Sequence, residues 1–316
     1  VGHRFDSCRG RKRPKENMNE AKPPNQTAPD WYSAAMAVEY EDRTVQVSGT
    51  DIHYLVWGEP NCPGLVFVHG GAAHAHWWTH IAAQFAGVYR AAAIDMSGHG
   101  DSDRRDRYSL EAWCDEVVTV ARDADMAGPP IVIGHSMGGF VTLATAATRG
   151  DQIAGAVILD SAVRKPDPEM ETTTRSQFAN PKVYPDRDAA IARFRTVPEQ
   201  EHCEPFLMGH IAANSLTEVE GGVTWKFDPR IFLSPRSTAN ELLQQVTCRI
   251  ALFRAEHGLV TADIGAYMYE QLGRVAPVIE IPQAGHHMML DQPLLVVMAI
   301  RTLLADWEHS VPFERT

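Results

Sequence analysis

Short apolar runs and longer amphipathic stretches alternate along most of this chain. "LVFVHGG" (65–71), "AAAIDMSGHG" (91–100), "PIVIGHSMGG" (130–139) and "AGAVILDSA" (154–162) share one plan: an apolar run that ends in small or polar residues. Such runs suit strands buried on both faces of a parallel sheet. The stretches between them, at about 76–86, 109–126 and 138–149, read as helices. Further on come a strand in "RIALFRAEHG" (249–258), a helix over 262–273, a strand and loop in "PVIEIPQAGHH" (277–287) and a helix over 293–308. Upstream, "RTVQVSG" and "IHYLVWG" alternate polar and apolar positions around "TD", which predicts a β-hairpin. Strand and helix in alternation predict an α/β doubly wound fold.

The rhythm stops between 163 and 246. That span has no buried-strand runs, is rich in Pro and charge, and holds helix-like pieces such as "DRDAAIARFR". It predicts a helical insertion over the C-terminal ends of the strands, where open α/β sheets bind ligands. Residues 1–30 are polar and rich in Pro, Lys, Arg and Asn, and read as a disordered basic tail. The expected organisation is therefore a tail (1–30), a core (31–162 and 247–316) and a helical cap (163–246).

Composition narrows the function classes. The 316 residues, 44% of them hydrophobic, suffice for one large domain with an insertion. Residues 1–22 hold seven basic and three acidic side chains, yet the whole chain carries −11, so its body is acidic. An acidic body argues against nucleic acid as a main partner. The five cysteines are scattered, with no C-x-x-C, so neither a metal knuckle nor a disulfide framework is expected, and a reducing cytoplasm is the expected setting. No run of 18 apolar residues predicts a membrane span.

The chemistry gathers at "GHSMGG", a G-x-S-x-G that follows a predicted strand and opens a predicted helix. Such a serine sits on a strained turn, and side chains at Gly134 or Gly138 would collide with neighbouring chain. Ser136 is the expected nucleophile. A hydroxyl needs a base to take its proton, and His286, in the loop after the last predicted strand, is the candidate, with His287 as its neighbour and rival. A tetrahedral intermediate needs an oxyanion hole. The N–H of Met137 should supply one donor, and that of Gly71, or Ala72 in reserve, the other. Trp77, His135 and Trp225 are expected to face a small-molecule substrate. His74, His76 and His80 have spacings that could ligate a metal, but no acid or cysteine cluster accompanies them, so no metal is expected. "HGGAAH" does not fit a dinucleotide fingerprint, so no such cofactor is expected either.

Together "HGG", "DMSGHGDSD", "GHSMGG" and "AGHHMMLDQP" resemble the α/β-hydrolase family over residues 43–310. The resemblance implies an eight-stranded, mostly parallel sheet, a cap after strand six, a Ser-acid-His triad and no cofactor. One position departs from the pattern: where these hydrolases usually carry their acid, after strand seven, "RAEHGLV" has Gly258. One branch of the family places the acid after strand six instead, and there "VILDSAV" holds Asp160. Glu256 and Asp263 are its rivals. The expected activity is cleavage of a carboxylic ester or lactone of a small apolar molecule. A C–C bond hydrolase, an acyltransferase or a cofactor-free haloperoxidase would use the same residues, and a non-catalytic ligand receptor would need only the fold. Oligomeric state is not legible.

Overall fold

The computed structural model describes residues 28–164, 181–200, 202–233 and 239–310. The tail expected to be disordered lies outside them up to residue 27. The chain enters through α1 (Asp30–Met36) and forms the hairpin β1 (Glu41–Val47) and β2 (Thr50–Trp57). Val47 pairs with Thr50, so the turn is Ser48–Gly49 and "TD" lies inside β2. Both turn residues have positive φ, 51° and 79°. That is what a two-residue hairpin of right-handed twist requires, and Gly49 meets it without strain.

The remaining core elements are β3 (Gly64–Val68), α2 (Thr79–Ala82), β4 (Arg90–Ile94), α3 (Leu110–Asp123), β5 (Ile131–His135), α4 (Met137–Thr148) and β6 (Gly155–Leu159). Between β6 and the last third of the fold lie α5 (Arg187–Ile191), α6 (Pro205–Asn214), β7 (Leu216–Val219), β8 (Gly222–Trp225) and α7 (Ala239–Leu242). The fold closes with β9 (Arg249–His257), α8 (Ala262–Gln271), β10 (Val278–Gly285), α9 (Met288–Asp291) and α10 (Pro293–His309).

Eight strands form one sheet in the order β1-β2-β4-β3-β5-β6-β9-β10. Only β2 runs against its neighbours; the other pairings are parallel. This is the eight-stranded, mostly parallel sheet that the family resemblance implies, and the α/β alternation that the apolar runs predict. Its two faces are both covered. Val66 and Val68 of β3 pack with Trp113, Val117 and Val141 of α3 and α4. Leu65 and Phe67 of the same strand point the other way, to Ile81 of α2 and Ile300 of α10. Period-two alternation with both sides apolar is why these strands read as continuous hydrophobic runs.

Two expectations need correction. The helix expected over 76–86 is a 3₁₀ turn (Ala75–Trp77), α2 and a second 3₁₀ turn (Ala83–Phe85). Its opening His, Trp and Thr residues have modest helix propensity, and packing sets their path instead. The insertion expected to be helical contains the antiparallel hairpin β7–β8, with Gly221 at φ 86°. "LTEVEGGVTW" carries the signal, a Gly-Gly between two runs with β-branched residues. The insertion also does not sit apart. Phe227, Ile231 and Phe232 join the same apolar cluster as Met137 and Val141, and the Gly100 N–H donates to the Lys226 carbonyl at 2.9 Å. Among the described residues no helix is long and apolar enough to cross a membrane.

Candidate active site

Ser136 lies between the end of β5 and the start of α4, with φ 53° and ψ −116°. Few non-glycine residues adopt such a backbone, which persists only where the surroundings over-determine it. Two glycines make it possible. A Cβ on Gly134 would stand 2.2 Å from the Gly138 carbonyl oxygen, and one on Gly138 would stand 2.3 Å from that of Val68. The strand, the turn and the first turn of the helix can approach this closely only without side chains.

Strand order brings the other partners to the serine. β6 lies beside β5, then β9, then β10. Asp160 directly follows β6, and His286 directly follows β10. His286 Nε2 lies 3.1 Å from Ser136 Oγ, and its Nδ1 lies 2.8 Å from Asp160 Oδ2. A carboxylate only accepts, so Nδ1 carries the proton and Nε2 accepts from the serine hydroxyl. Such a chain can move a proton from oxygen to nitrogen while the carboxylate offsets the imidazolium charge.

Asp160 is fully buried and held by backbone donors from the end of β9. Leu259 N–H reaches Oδ2 at 2.7 Å, and the N–H groups of Ala255 and Val260 reach Oδ1 at 3.2 Å. Gly258 explains the departure seen in the sequence, because a Cβ there would lie 2.3 Å from the Asp160 carboxylate. A glycine after β9 thus makes room for an acid delivered from β6. The rival acids point elsewhere. Glu256 accepts from Gln283 N–H at 2.7 Å, and Asp263 accepts from Thr261 beside its own helix start.

The loop after β3 approaches the serine from the opposite side. A Cβ on Gly70 would lie 3.3 Å from that of Ser136. Among the described residues, the N–H groups of Gly71, Ala72 and Met137 donate to no protein acceptor. His69, a residue the sequence reading passed over, sets this loop. Met96 N–H donates to its Nε2 at 3.2 Å, so its Nδ1 carries the proton and donates to the Gly70 carbonyl at 2.7 Å. Burial holds the His69 pKa below its ordinary value, which keeps the ring neutral for that double role. The Gly70 carbonyl and the Gly71 N–H belong to one planar peptide, so fixing the first fixes the second. The only sequence signal was the "HGG" triplet itself.

A cavity of about 300 Å³ opens beside this loop, with Gly71, Ala72, Trp77, Trp225 and His287 among its walls. A broader hollow of about 410 Å³, walled by Trp31, Phe206 and Leu294, touches neither Ser136 nor the Gly71 loop. Trp77 and Trp225 therefore line this cavity, but His135 does not. Its ring lies behind His286, with Nε2 2.8 Å from the His286 carbonyl and ring centroids 4.6 Å apart. Its place at the end of β5 turns it inward, against the loop that carries His286. His287 also differs from His286. Burial, with His286 next to it, pushes its pKa down to about 3, and it bonds neither Ser136 nor Asp160. His74, His76 and His80 do not converge: His74 bonds Ser215 Oγ at 2.8 Å, and His80 bonds the Met289 carbonyl at 2.8 Å. The acid of "DMSGHGDSD" is structural in its contacts. Asp95 takes His53 at 2.7 Å and the N–H groups of Ala75 and Asp101 at 2.6 and 2.9 Å.

Known proteins share this arrangement of chain. Lipase LipV of Mycobacterium tuberculosis is 26% identical over 266 residues, which span 80% of this chain and 98% of that protein. An esterase of the same organism, Rv0045c, is 24% identical over 268 residues, 82% of this chain and 88% of that one. Among solved structures, E-2-(acetamidomethylene)succinate hydrolase superposes with a TM-score of 0.74 at 21% identity, over 84% of this chain and all of that one. The pattern of the Alpha/beta hydrolase family matches residues 65–299, most of the described core, and the chain belongs to that family.

Proposed function

We propose that this protein is a serine hydrolase that cleaves a carboxylic ester or lactone through an acyl-enzyme. The observation that carries the reading is the chain Ser136–His286–Asp160, set beside backbone N–H groups that have no acceptor among the described residues. Ser136 Oγ attacks the substrate carbonyl carbon as its proton passes to His286 Nε2. Asp160 holds the ring and offsets the imidazolium charge. The N–H groups of Met137 and Gly71 receive the oxyanion, and His69 keeps the second of these aimed. The intermediate collapses, the alkoxide leaves with the proton from His286, and Ser136 is acylated. Water then gives its proton to His286 and attacks the acyl carbon, which releases the acid and restores the serine. No step calls for a cofactor. The names of the two mycobacterial relatives, a lipase and an esterase, support an ester as the bond cleaved.

Active-site labelling tests this. A fluorophosphonate should label the protein once, at Ser136, and Ser136→Ala should abolish both labelling and hydrolysis of p-nitrophenyl esters. Undiminished hydrolysis by the alanine variant would sink the assignment, and an unlabelled, inactive wild-type protein would favour a ligand receptor on the same fold.

A further inference from the structure

The cavity next to the Gly71 loop has two kinds of wall. Trp77, Phe194, Trp225 and Phe227 give it an apolar side. Lys182, Arg193, Arg195 and Lys226 also line it, and among the described residues no Asp or Glu does. That runs against composition, because acids outnumber bases 40 to 29 along the chain. The arrangement is therefore a local feature on an acidic body, not a sample of the surface.

The four cations differ in what already holds them. Lys226 Nζ donates to both oxygens of Asp101 at 2.6 Å. The Arg195 guanidinium caps its own segment through the carbonyls of Ala192 and Phe194, at 3.3 and 2.6 Å. Lys182 and Arg193 form no ion pair among the described residues. Both are exposed, so they stand at the rim, while Trp77 and the Gly71 loop lie inside. An unneutralised pair of cations at the rim of an apolar slot selects a ligand with an apolar middle and an anionic end.

Building on the esterase reading above, we infer that the substrate is an amphipathic ester with a carboxylate or phosphate at the end remote from the scissile bond. The reacting carbonyl sits at Ser136, the apolar stem lies along Trp77 and Trp225, and the anion reaches Lys182 and Arg193. This revises the wholly apolar substrate that the sequence suggests. The cavity volume of about 300 Å³ fits a small molecule of this kind. The cations are exposed and screened, so each contributes a severalfold preference and the pair about tenfold.

Matched esters test the inference on the full chain. p-Nitrophenyl hexanoate and mono-p-nitrophenyl adipate share a six-carbon acyl group and differ in the terminal carboxylate; the 6-phosphonohexanoate ester separates phosphate from carboxylate. Wild-type kcat/KM should favour an anionic ester over hexanoate by about tenfold at low salt, mainly through KM, and the ratio should shrink in 0.5 M NaCl. Lys182→Glu/Arg193→Glu should reverse the ratio, and the milder Lys182→Ala/Arg193→Ala should bring it near one. An anionic-to-neutral ratio at or below one in the wild type, or a ratio unmoved by charge reversal, would overturn the inference while leaving the esterase intact. Failure to hydrolyse any of the three, with Ser136 unlabelled by fluorophosphonate, would overturn the underlying reading and this inference with it.

Discussion

At the scale of single residues, the acid is the informative case. Asp160 receives His286 and three backbone N–H groups, while Gly258 leaves it the space. Asp160→Asn should misorient the base and lower kcat by at least about a hundredfold, towards the roughly 10⁴-fold loss known for such a change, with the fold intact by circular dichroism. Glu256→Gln and Asp263→Asn, whose carboxylates are engaged elsewhere, should stay within about tenfold. Gly258→Ala is the sharper probe. Its new Cβ would press on the carboxylate, so kcat should fall while KM holds. A fully active Gly258→Ala enzyme would show that the position of Asp160 matters less than its contacts suggest. Ser136 and His286 were legible as candidates because each follows a recognisable run, and Asp160 as a candidate through the family resemblance. His69 and His135 were not, since only the fold shows which way a histidine at a strand end turns.

At the scale of elements, the loop between β10 and α9 carries His286, and the insertion helps hold it. His287 N–H donates to Gln200 Oε1 at 2.8 Å, and Gln200 Nε2 donates to Asp291 Oδ2 at 2.8 Å. The Gly285 N–H donates to that same oxygen at 2.6 Å. Burial pushes the Asp291 carboxyl up to about 6 from its ordinary value near 3.8. The folded state thus favours the neutral acid more than the unfolded chain does. The stability this confers is complete below about pH 4 and is lost as pH rises through about 6. Asp291→Asn, always neutral, should match the wild type in Tm at pH 4 and exceed it at pH 7.5. A thermal-shift series across that range checks the trend, and the opposite slope would mean that the carboxylate form stabilises the loop.

At the scale of the whole molecule, the insertion is part of the body's packing as well as a wall of the cavity. Phe232 is buried in the main apolar cluster, and its ring lies 2.9 Å from where a Cβ on Gly71 would be. Phe232→Ala should therefore cost about 3 kcal/mol of stability by urea denaturation and slow turnover as the Gly71 loop loosens. Loss of neither would show the two regions to be independent.

The sequence by itself determined the alternation of the core strands and helices, the two-sided sheet and the serine elbow. These follow from local rules: the period of apolar positions, and glycines where chain must approach chain. It also offered acid and base candidates, because the ends of parallel strands are where a doubly wound sheet gathers its chemistry. Only the tertiary structure shows which of them meet. Strand adjacency placed Asp160 and His286 in reach of Ser136, and strand-end geometry sent His135 behind the base and left His287 at the cavity. Packing alone decided that basic residues from an acidic chain would meet around one cavity. Side chains far apart in sequence become neighbours only when the core closes, and no local pattern encodes which of them will face the same space.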